Sequence, residues 1–344
     1  MSESVSAHVR AAGFMISLRG HAQLHRALPK GVDYLNLALP ARPLLASWQR
    51  WYQPDLRWLL RGYDVVHGTN FVVPPVKGTA TVVTVHDLTP LLYPHFCRPE
   101  VLGFPTLVRH AISAGAIVHT PSEFVRAQVL DYFGIEPSRV VAIAHGVTPL
   151  VSNPSLPAIA RQLDGRPYIL AVSTLEPRKG LVYLVRAFER IASRHPDVRL
   201  VLTGQPGWGM DELLAEFRGP AVAERILLPG YVSDQERSWL LRNAHVFAYP
   251  SLYEGFGLPL LEAMSVGTPV VTTNIGAICE VVAEAAMMVP PRAVEELAQA
   301  LEVLIDESET RAVMIERGYA RAAQFSWKTN GEQMAALYAR AAQG

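Results

Sequence analysis

The chain has 344 residues, enough for two domains, with 50% hydrophobic residues, 18% charged residues and a formal net charge of zero. This composition excludes a disordered chain and the strongly basic surface that is typical of nucleic-acid binding. The two cysteines, Cys97 and Cys279, exclude a disulfide framework and argue against a structural zinc site, which favours a reducing, cytoplasmic setting.

The chain is predicted to open in a helix over about Val9–Leu28. Short β-branched apolar runs then predict the strands of the first half. These strands are Val32–Leu39, Val65–His67, Ala80–Val85, Ala116–Thr120 and Val140–Ile143. The stretch after Val151 is rich in Pro, Ser and Asn, and it predicts a linker.

The alternation of strands and helices resumes after the linker. The predicted strands there are Tyr168–Val172, Val198–Leu202, Arg225–Leu228, Val246–Tyr249 and Pro269–Thr272. The helical patterns are Leu181–Ser193, Met210–Phe217, Asp234–Arg242, Pro259–Val266, about Val294–Ala323 with a break near Glu307, and about Thr329–Ala342. Strands and helices that alternate at this spacing indicate parallel sheets covered by helices on both faces.

Two such series predict two doubly wound α/β domains, residues 1–155 and 156–325, and a last helix in residues 326–344 that packs back on the first domain. In open α/β sheets, ligands bind at the carboxyl ends of the strands. The loops that follow the strands are therefore the expected place for chemistry.

The first unusual loop, Glu176–Gly180, carries two adjacent cations, Arg178 and Lys179, directly ahead of a predicted helix. A helix N-terminus presents free backbone N–H groups and partial positive charge. Together these features suit a diphosphate. The alternative is a solvated pair of surface charges.

The second unusual loop lies between Tyr249 and a helix that begins at about Leu258. Gly255 and Gly257 allow the backbone to approach a ligand closely. Glu254 lies in the loop and Glu262 on the helix. Carboxylates accept hydrogen bonds from paired hydroxyls, so one could hold a transferred sugar and the other a ribose.

These motifs resemble the retaining glycosyltransferases of family four, which have the GT-B fold, and the chain looks closest to bacterial mannosyltransferase-like members. Glu254 and Glu262, separated by seven residues, match the family's paired-glutamate signature, and Glu176–Lys179 is similarly typical. Residues 229–234, Pro-Gly-Tyr-Val-Ser-Asp, match the segment that borders the nucleotide base in the family. The resemblance implies two Rossmann-like doubly wound domains that face a cleft.

The resemblance also implies roles for individual residues. Arg178 and Lys179 would bind the diphosphate of a nucleotide sugar, Glu254 would contact the donor sugar, and Glu262 would hold the ribose. The further donor-binding positions that it implies are Gly255, Phe256, Gly257, Leu258, Tyr231 and Val232.

The first half offers fewer matches. His86 and Asp87 follow a predicted strand, and the resemblance makes His86 a donor-sugar contact at the cleft. Asp87 would orient His86 or contact the acceptor, and His67 is a further acceptor-side candidate. The family's first strand and Gly-rich loop are not recognisable, so the first domain is expected to lack its first strand.

The expected reaction is the retaining transfer of a hexose to a glycan or lipid-linked acceptor, with no metal and no cofactor besides the donor. GDP-mannose is the first choice of donor, and UDP-glucose and related donors remain open. The alternatives are a GT-B phosphorylase or a nucleotide-sugar epimerase and, outside the enzymes, a non-catalytic nucleotide-sugar-binding protein. No early Gly-x-Gly-x-x-Gly supports a nicotinamide enzyme.

A segment with Trp48, Trp51 and Trp58 interleaved with arginines allows two interpretations. It is either an interfacial patch at the inner face of a membrane or, as we favour, a helix partly buried against the first sheet. No apolar run approaches the roughly 20 residues of a membrane span. The oligomeric state is not predicted.

Overall fold

The structure is a computed structural model that describes residues 5, 8–18, 28, 32–217 and 220–343. Within these residues, the parallel strands are β1 (Ala12–Ile16), β2 (Asp33–Leu37), β3 (Val65–Gly68), β4 (Ala80–Thr84), β5 (Ile117–Thr120), β6 (Val140–Ala142), β7 (Tyr168–Val172), β8 (Arg199–Thr203), β9 (Ile226–Gly230), β10 (Val246–Tyr249), β11 (Val270–Thr273) and β12 (Met287–Val289).

The helices of the same residues cover the sheets and fill the connections. They are α1 (Ala41–Trp51), α2 (Arg57–Leu60), α3 (Thr89–Leu92), α4 (Phe104–Ser113), α5 (Glu123–Phe133), α6 (Ala160–Leu163), α7 (Leu181–Ile191), α8 (Met210–Ala215), α9 (Pro220–Ala223), α10 (Asp234–Asn243), α11 (Leu258–Ser265), α12 (Ala277–Val282), α13 (Val294–Asp306), α14 (Ser308–Ala322) and α15 (Trp327–Gln343).

The chain forms two compact units, Met1–Gly146 with Ser326–Gly344 and Val147–Phe325. The first unit holds a sheet of order β3-β4-β5-β6 and a separate pair, β1-β2, whereas the second holds a sheet of order β12-β11-β10-β7-β8-β9. Strand–helix alternation with wholly parallel pairing is the predicted doubly wound α/β architecture, and the prediction is confirmed.

The helix predicted over about Val9–Leu28 is wrong near its start. Residues 12–16 form β1, which pairs with β2 in the register Ala12↔Asp33 to Ile16↔Leu37. A partner some 20 residues away decides this conformation, and local periodicity does not report such a partner. Residues 19–27 of the predicted helix lie outside the described residues.

The boundary between the units also differs from the predicted one, since the second unit begins at Val147 and not at residue 156. The Pro- and Ser-rich segment is not a free linker. Leu150 and Ile159 are buried in the core of the second unit, and the Val151 amide donates to Ser238 Oγ at 3.1 Å. Apolar side chains among the prolines explain why composition misplaced the boundary.

The tryptophan-rich segment is partly core and partly surface. Trp48 on α1 is buried, and its Nε1 donates to the Pro54 carbonyl oxygen at 3.1 Å. Trp51 and Trp58, by contrast, are 65% and 62% exposed. The favoured interpretation therefore holds for Trp48 but not for the other two side chains.

The core of the first unit contains a directional chain of hydrogen bonds. It runs from Tyr338 of α15 through His67, Thr84 and His119 to the carbonyl oxygen of Ile143, with donor–acceptor distances of 2.7, 2.7, 2.8 and 3.0 Å. The carbonyl only accepts, so His119 donates from Nε2. When both imidazoles are neutral, His119 Nδ1 accepts from Thr84, Thr84 accepts from His67 Nε2 and His67 Nδ1 accepts from Tyr338, so every link donates forward.

The electrostatics of this chain agree with neutral rings. Burial, together with the neighbouring His119, lowers the pKa of His67 to about 3. Burial lowers the pKa of His119 to about 4. In the unfolded chain both rings would titrate near the ordinary pKa of about 6.5.

The first unit should therefore lose stability in mild acid. A lowered pKa in the folded state gives stability that is fully present above about pH 6.5 and falls as the pH approaches 4, by about 1.4 kcal/mol per pH unit for each histidine. Urea unfolding at pH 7, 6 and 5, followed by tryptophan fluorescence, measures this slope. His119→Gln should reduce the slope, whereas His95→Gln, at an exposed histidine, should not; equal slopes in the two variants would contradict the assignment.

Candidate functional site

Two loops of the second unit meet at the carboxyl ends of the neighbouring strands β7 and β10. Gly180, which precedes α7, has φ +65° and lies so close to the other loop that a Cβ there would be 2.1 Å from the Pro250 carbonyl oxygen. The Leu252 amide donates to the Arg178 carbonyl oxygen at 2.8 Å. Only glycine allows this approach, which brings the predicted cations of one loop to the predicted carboxylate of the other.

Lys179 and Glu254 form the centre of this region. Lys179 Nζ lies 2.6 Å from Glu254 Oε1 and 3.1 Å from the hydroxyl of Tyr249. The Tyr249 hydroxyl itself donates to Glu254 Oε1 at 2.9 Å. The three side chains are nearly inaccessible, so this is a buried triangle of a cation, an anion and a phenol.

Arg178 attaches a second ion pair to the triangle. Its Nη1 donates to Glu254 Oε2 at 3.2 Å and to the Tyr253 carbonyl oxygen at 2.9 Å. Its Nη2 lies 2.9 Å from Glu176 Oε1. Two cations and two carboxylates are thus packed together, which balances charges that would be costly to bury singly.

The pKa shifts follow from this packing. Burial raises the pKa of Glu254, but the charges of Lys179 and Arg178 outweigh it and lower that pKa to about 2. Burial lowers the pKa of Lys179, and the Glu254 carboxylate more than compensates, so that pKa is raised. Burial raises the pKa of Tyr249 to about 12. At neutral pH the site therefore holds ionised Lys179 and Glu254 beside a protonated phenol.

Glu262 lies on α11 and has a different partner. Both of its carboxylate oxygens accept from Nη1 of Arg237, at 2.8 and 2.6 Å. Arg237 lies in the first turns of α10, just after a capping box formed by Ser233 and Glu236. Burial raises the pKa of Glu262, and Arg237 opposes that effect.

The other predicted donor-binding positions surround the start of α11 or follow β9. Gly257 has φ +105°, which only glycine adopts without strain, and Phe256 is buried and packs edge-on against Phe325 at 5.8 Å between ring centroids. Gly255 is buried and Leu258 is partly buried. Tyr231 is 70% exposed, and Val232 packs partly against the core.

The candidates in the first unit are held in different ways. His86 Nε2 donates to the Thr69 carbonyl oxygen at 2.8 Å, and Asp87 Oδ1 accepts from the Thr89 amide at 2.8 Å, so Asp87 begins the turn of α3. His67 has both ring nitrogens occupied by Tyr338 and Thr84. The contacts of His67 favour a structural role, whereas Nδ1 of His86 is not used in that backbone contact.

Sequence reasoning missed two residues of this site, Tyr249 and Arg237. Tyr249 was interpreted only as the last residue of an apolar strand. Arg237 had a recognisable signal, because it lies three and four residues before Leu240 and Leu241, on the buried face of α10. A charge on the apolar face of a helix requires a buried partner.

Two further findings concern ions and membranes. In the part of the chain that the structure describes, no three His, Cys, Asp or Glu side chains cluster as metal ligands would. Among the helices of residues 32–217 and 220–343, none has the length and apolar character needed to cross a bilayer.

The chain matches two protein families in succession. Residues 9–149 match the family described as Glycosyltransferase Family 4, and residues 152–321 match Glycosyl transferases group 1. Together the two matched ranges cover most of both units.

Individual proteins give the same assignment. The chain is 32% identical over 303 residues to the O-antigen chain mannosyltransferase B of Escherichia coli, which covers 84% of this chain and 78% of that protein. It is 28% identical over 338 residues to the MMP α-(1→4)-mannosyltransferase of Mycolicibacterium hassiacum, covering 89% and 80% of the two chains. The crystal structure of Anabaena Alr3699/HepE with UDP and glucose superimposes with a TM-score of 0.74 at 20% identity, over 98% of this chain and 94% of that one.

The parallel topology of both units, the matches in both halves and the identity to the Escherichia coli protein give one result: the chain belongs to the family-four, group 1 glycosyltransferases of GT-B fold.

Proposed function

We propose that this glycosyltransferase moves a mannosyl residue from GDP-mannose, with retention of configuration, to a glycan or lipid-linked acceptor. The buried network of Arg178, Lys179 and Glu254 carries the donor part of the proposal. The names of the Escherichia coli and Mycolicibacterium hassiacum relatives support mannose. The UDP and glucose of the Anabaena structure make UDP-glucose the second choice.

Lys179 is suited to the diphosphate because its ammonium has three hydrogens. Two of them reach Glu254 and Tyr249, and the third has no partner among the described residues. The N-termini of α7 and α11 begin beside the same loops and add backbone N–H groups and partial positive charge. Fixed positive charge at a leaving diphosphate needs no reorganisation when that charge develops.

Glu254 and Glu262 are suited to hydroxyl groups. Glu254 stays ionised because of Lys179 and Arg178, so it accepts hydrogen bonds from sugar hydroxyls over the whole physiological pH range. Glu262 would accept from the ribose. Gly255, Phe256, Gly257 and Leu258 would offer backbone amides, and Tyr231 and Val232 would border the base.

The reaction proposed is a front-face displacement. The bond from the anomeric carbon to the phosphate oxygen breaks, and the bond to the acceptor oxygen forms on the same face. The acceptor's proton passes to the departing phosphate, so no protein nucleophile is needed. His86 is proposed as a donor-sugar contact, with Asp87 on the acceptor side, and no metal or further cofactor is required.

A donor screen tests the proposal. GDP-mannose should raise the melting temperature more than UDP-glucose does, because a ligand that binds only the folded state stabilises it by mass action. Incubation with GDP-mannose should release GDP and mannose equally well in EDTA and in Mg²⁺, and ¹H NMR should detect the α anomer first. A β anomer would refute retention. Binding without any hydrolysis or transfer would favour the non-catalytic alternative, and phosphate-dependent release would favour a phosphorylase.

Lys179→Met should lower turnover by a factor on the order of 10² to 10³, the usual effect of removing one preorganised charge contact. The same variant should also lose about 3–5 kcal/mol of unfolding free energy, because it leaves Glu254 buried without its nearest cation. The double variant Lys179→Met/Glu254→Gln should recover part of that stability but no turnover. Near-normal turnover in Lys179→Met would remove Lys179 from the reaction.

A lipid-linked acceptor would require contact with a membrane surface, and the exposed rings of Trp51 and Trp58 suit that contact. Arg50 lies with its Cζ 5.3 Å from the Trp51 ring centroid, so the patch is both aromatic and cationic. The protein should co-sediment with vesicles that contain phosphatidylglycerol, and Trp51→Ala/Trp58→Ala should weaken this binding several-fold. Tyr132→Ala, at another exposed aromatic residue, is the control. Wild-type protein that stays in the supernatant would contradict the membrane contact.

A further inference from the structure

Arg237 of α10 has no role in the proposed reaction, yet it contacts Glu262 closely. One nitrogen, Nη1, donates to both carboxylate oxygens, at 2.8 and 2.6 Å. The Glu262 side chain is 10% exposed and that of Arg237 26% exposed, so solvent screens this pair little. The contact engages both oxygens and so fixes the position of the carboxylate against α10.

The other contacts of the Arg237 guanidinium are weak or missing. Its other charged contact, from Nη2 to Asp234 Oδ1 at 3.3 Å, goes to a side chain that is 85% exposed. Its Nε is buried and has no hydrogen-bond partner among the described residues. A purely structural arginine that joins two helices would be expected to use its buried Nε as well. This one directs its buried hydrogen-bonding capacity at Glu262.

The contact leaves Glu262 able to bind a ligand. A carboxylate has about four acceptor positions, and Arg237 occupies one on each oxygen. The remaining position on each oxygen points outward, so one oxygen can still accept a hydrogen bond from a hydroxyl while the contact with Arg237 is kept. Burial raises the pKa of Glu262 and so favours the protonated acid, which loses one of these acceptors, and the Arg237 cation opposes that shift.

We infer that Arg237 is a positioning residue, which holds the Glu262 carboxylate in place so that one of its oxygens accepts a hydrogen bond from the 2′-hydroxyl of the donor's ribose. This inference rests on the proposed function, which gives Glu262 the ribose. Arg237 itself need not touch the nucleotide.

The experiment measures the dissociation constants of GDP and UDP, and of their 2′-deoxy forms, by calorimetry. Wild-type protein should prefer the ribonucleotide by about tenfold or more, as expected for a hydrogen bond to a charged acceptor. In Arg237→Met that preference should fall to near one, and the remaining affinity for the ribonucleotide should rise with pH as Glu262 ionises. Arg237→Lys should restore part of the preference.

Two controls separate positioning from structural support. Arg242→Met, at an exposed arginine of the same helix, should leave the preference unchanged. Glu262→Gln should abolish the preference, and adding Arg237→Met to it should cause no further loss. If Arg237→Met does not fold, Arg237→Gln supports the same comparison.

Three results would contradict the positioning role of Arg237. Equal weakening of both nucleotides in Arg237→Met, with the preference intact, would overturn the positioning role and leave the proposed function standing. A wild-type protein that binds neither GDP nor UDP would overturn both. Additive losses in Glu262→Gln and Arg237→Met would show that the two residues act independently, which also contradicts the inference.

Discussion

The structure of the second unit depends on one constraint, which is that the Glu254 carboxylate is buried and must be neutralised where it lies. Lys179 and Arg178 do this from the adjacent loop, so the two loops cannot separate without leaving a buried charge unpaired. Gly180 follows from the same constraint, since any larger residue there would force the loops apart. The charges that suit a donor diphosphate are therefore the charges that hold the two loops together.

The two units solve the problem of buried polar groups in opposite ways. The second unit buries ions and balances them in pairs, so the pKa values of Lys179 and Glu254 move toward the charged forms. The first unit buries neutral imidazoles and satisfies them in one direction along a chain that ends at a carbonyl group. Ion pairs tolerate acid down to the lowered pKa of the carboxylate, whereas neutral histidines do not.

The sequence alone predicts much of this architecture, because the strands of a parallel sheet are nearly continuous apolar runs. Tyr168–Val172 and Val246–Tyr249 match the observed strands at both ends, and the predicted break near Glu307 lies between α13 and α14. The short strand β12, Met-Met-Val, lacks the run of β-branched residues by which the other strands were recognised, and β1 depends on pairing with β2. Local periodicity contains no information on such pairing.

In the candidate site, too, local patterns could be predicted from the sequence and long-range contacts could not. Arg178, Lys179 and Glu254 were found together because each belongs to an unusual loop after a strand. The direct ion pairs of Arg178 and Lys179 with Glu254 were not predicted, since a sequence pattern places the loops but does not report which of their side chains touch. Tyr249 lies inside a strand, where its hydroxyl leaves no local signature, whereas Arg237 could have been recognised by its place on the apolar face of α10.

The position of helix α15 in the first unit determines which of the two units can complete its folding first during synthesis. The second unit is one continuous stretch, Val147–Phe325, whereas the first is completed by residues after Ser326. Met334 and Leu337 of α15 fill the core beneath β4, and Tyr338 starts the histidine chain. During synthesis, which proceeds from the N-terminus at about 5–20 residues per second, the half of the protein translated first must wait for its last helix. All strands of the second unit leave the ribosome before α15 does. The second unit is therefore the first that can fold to completion.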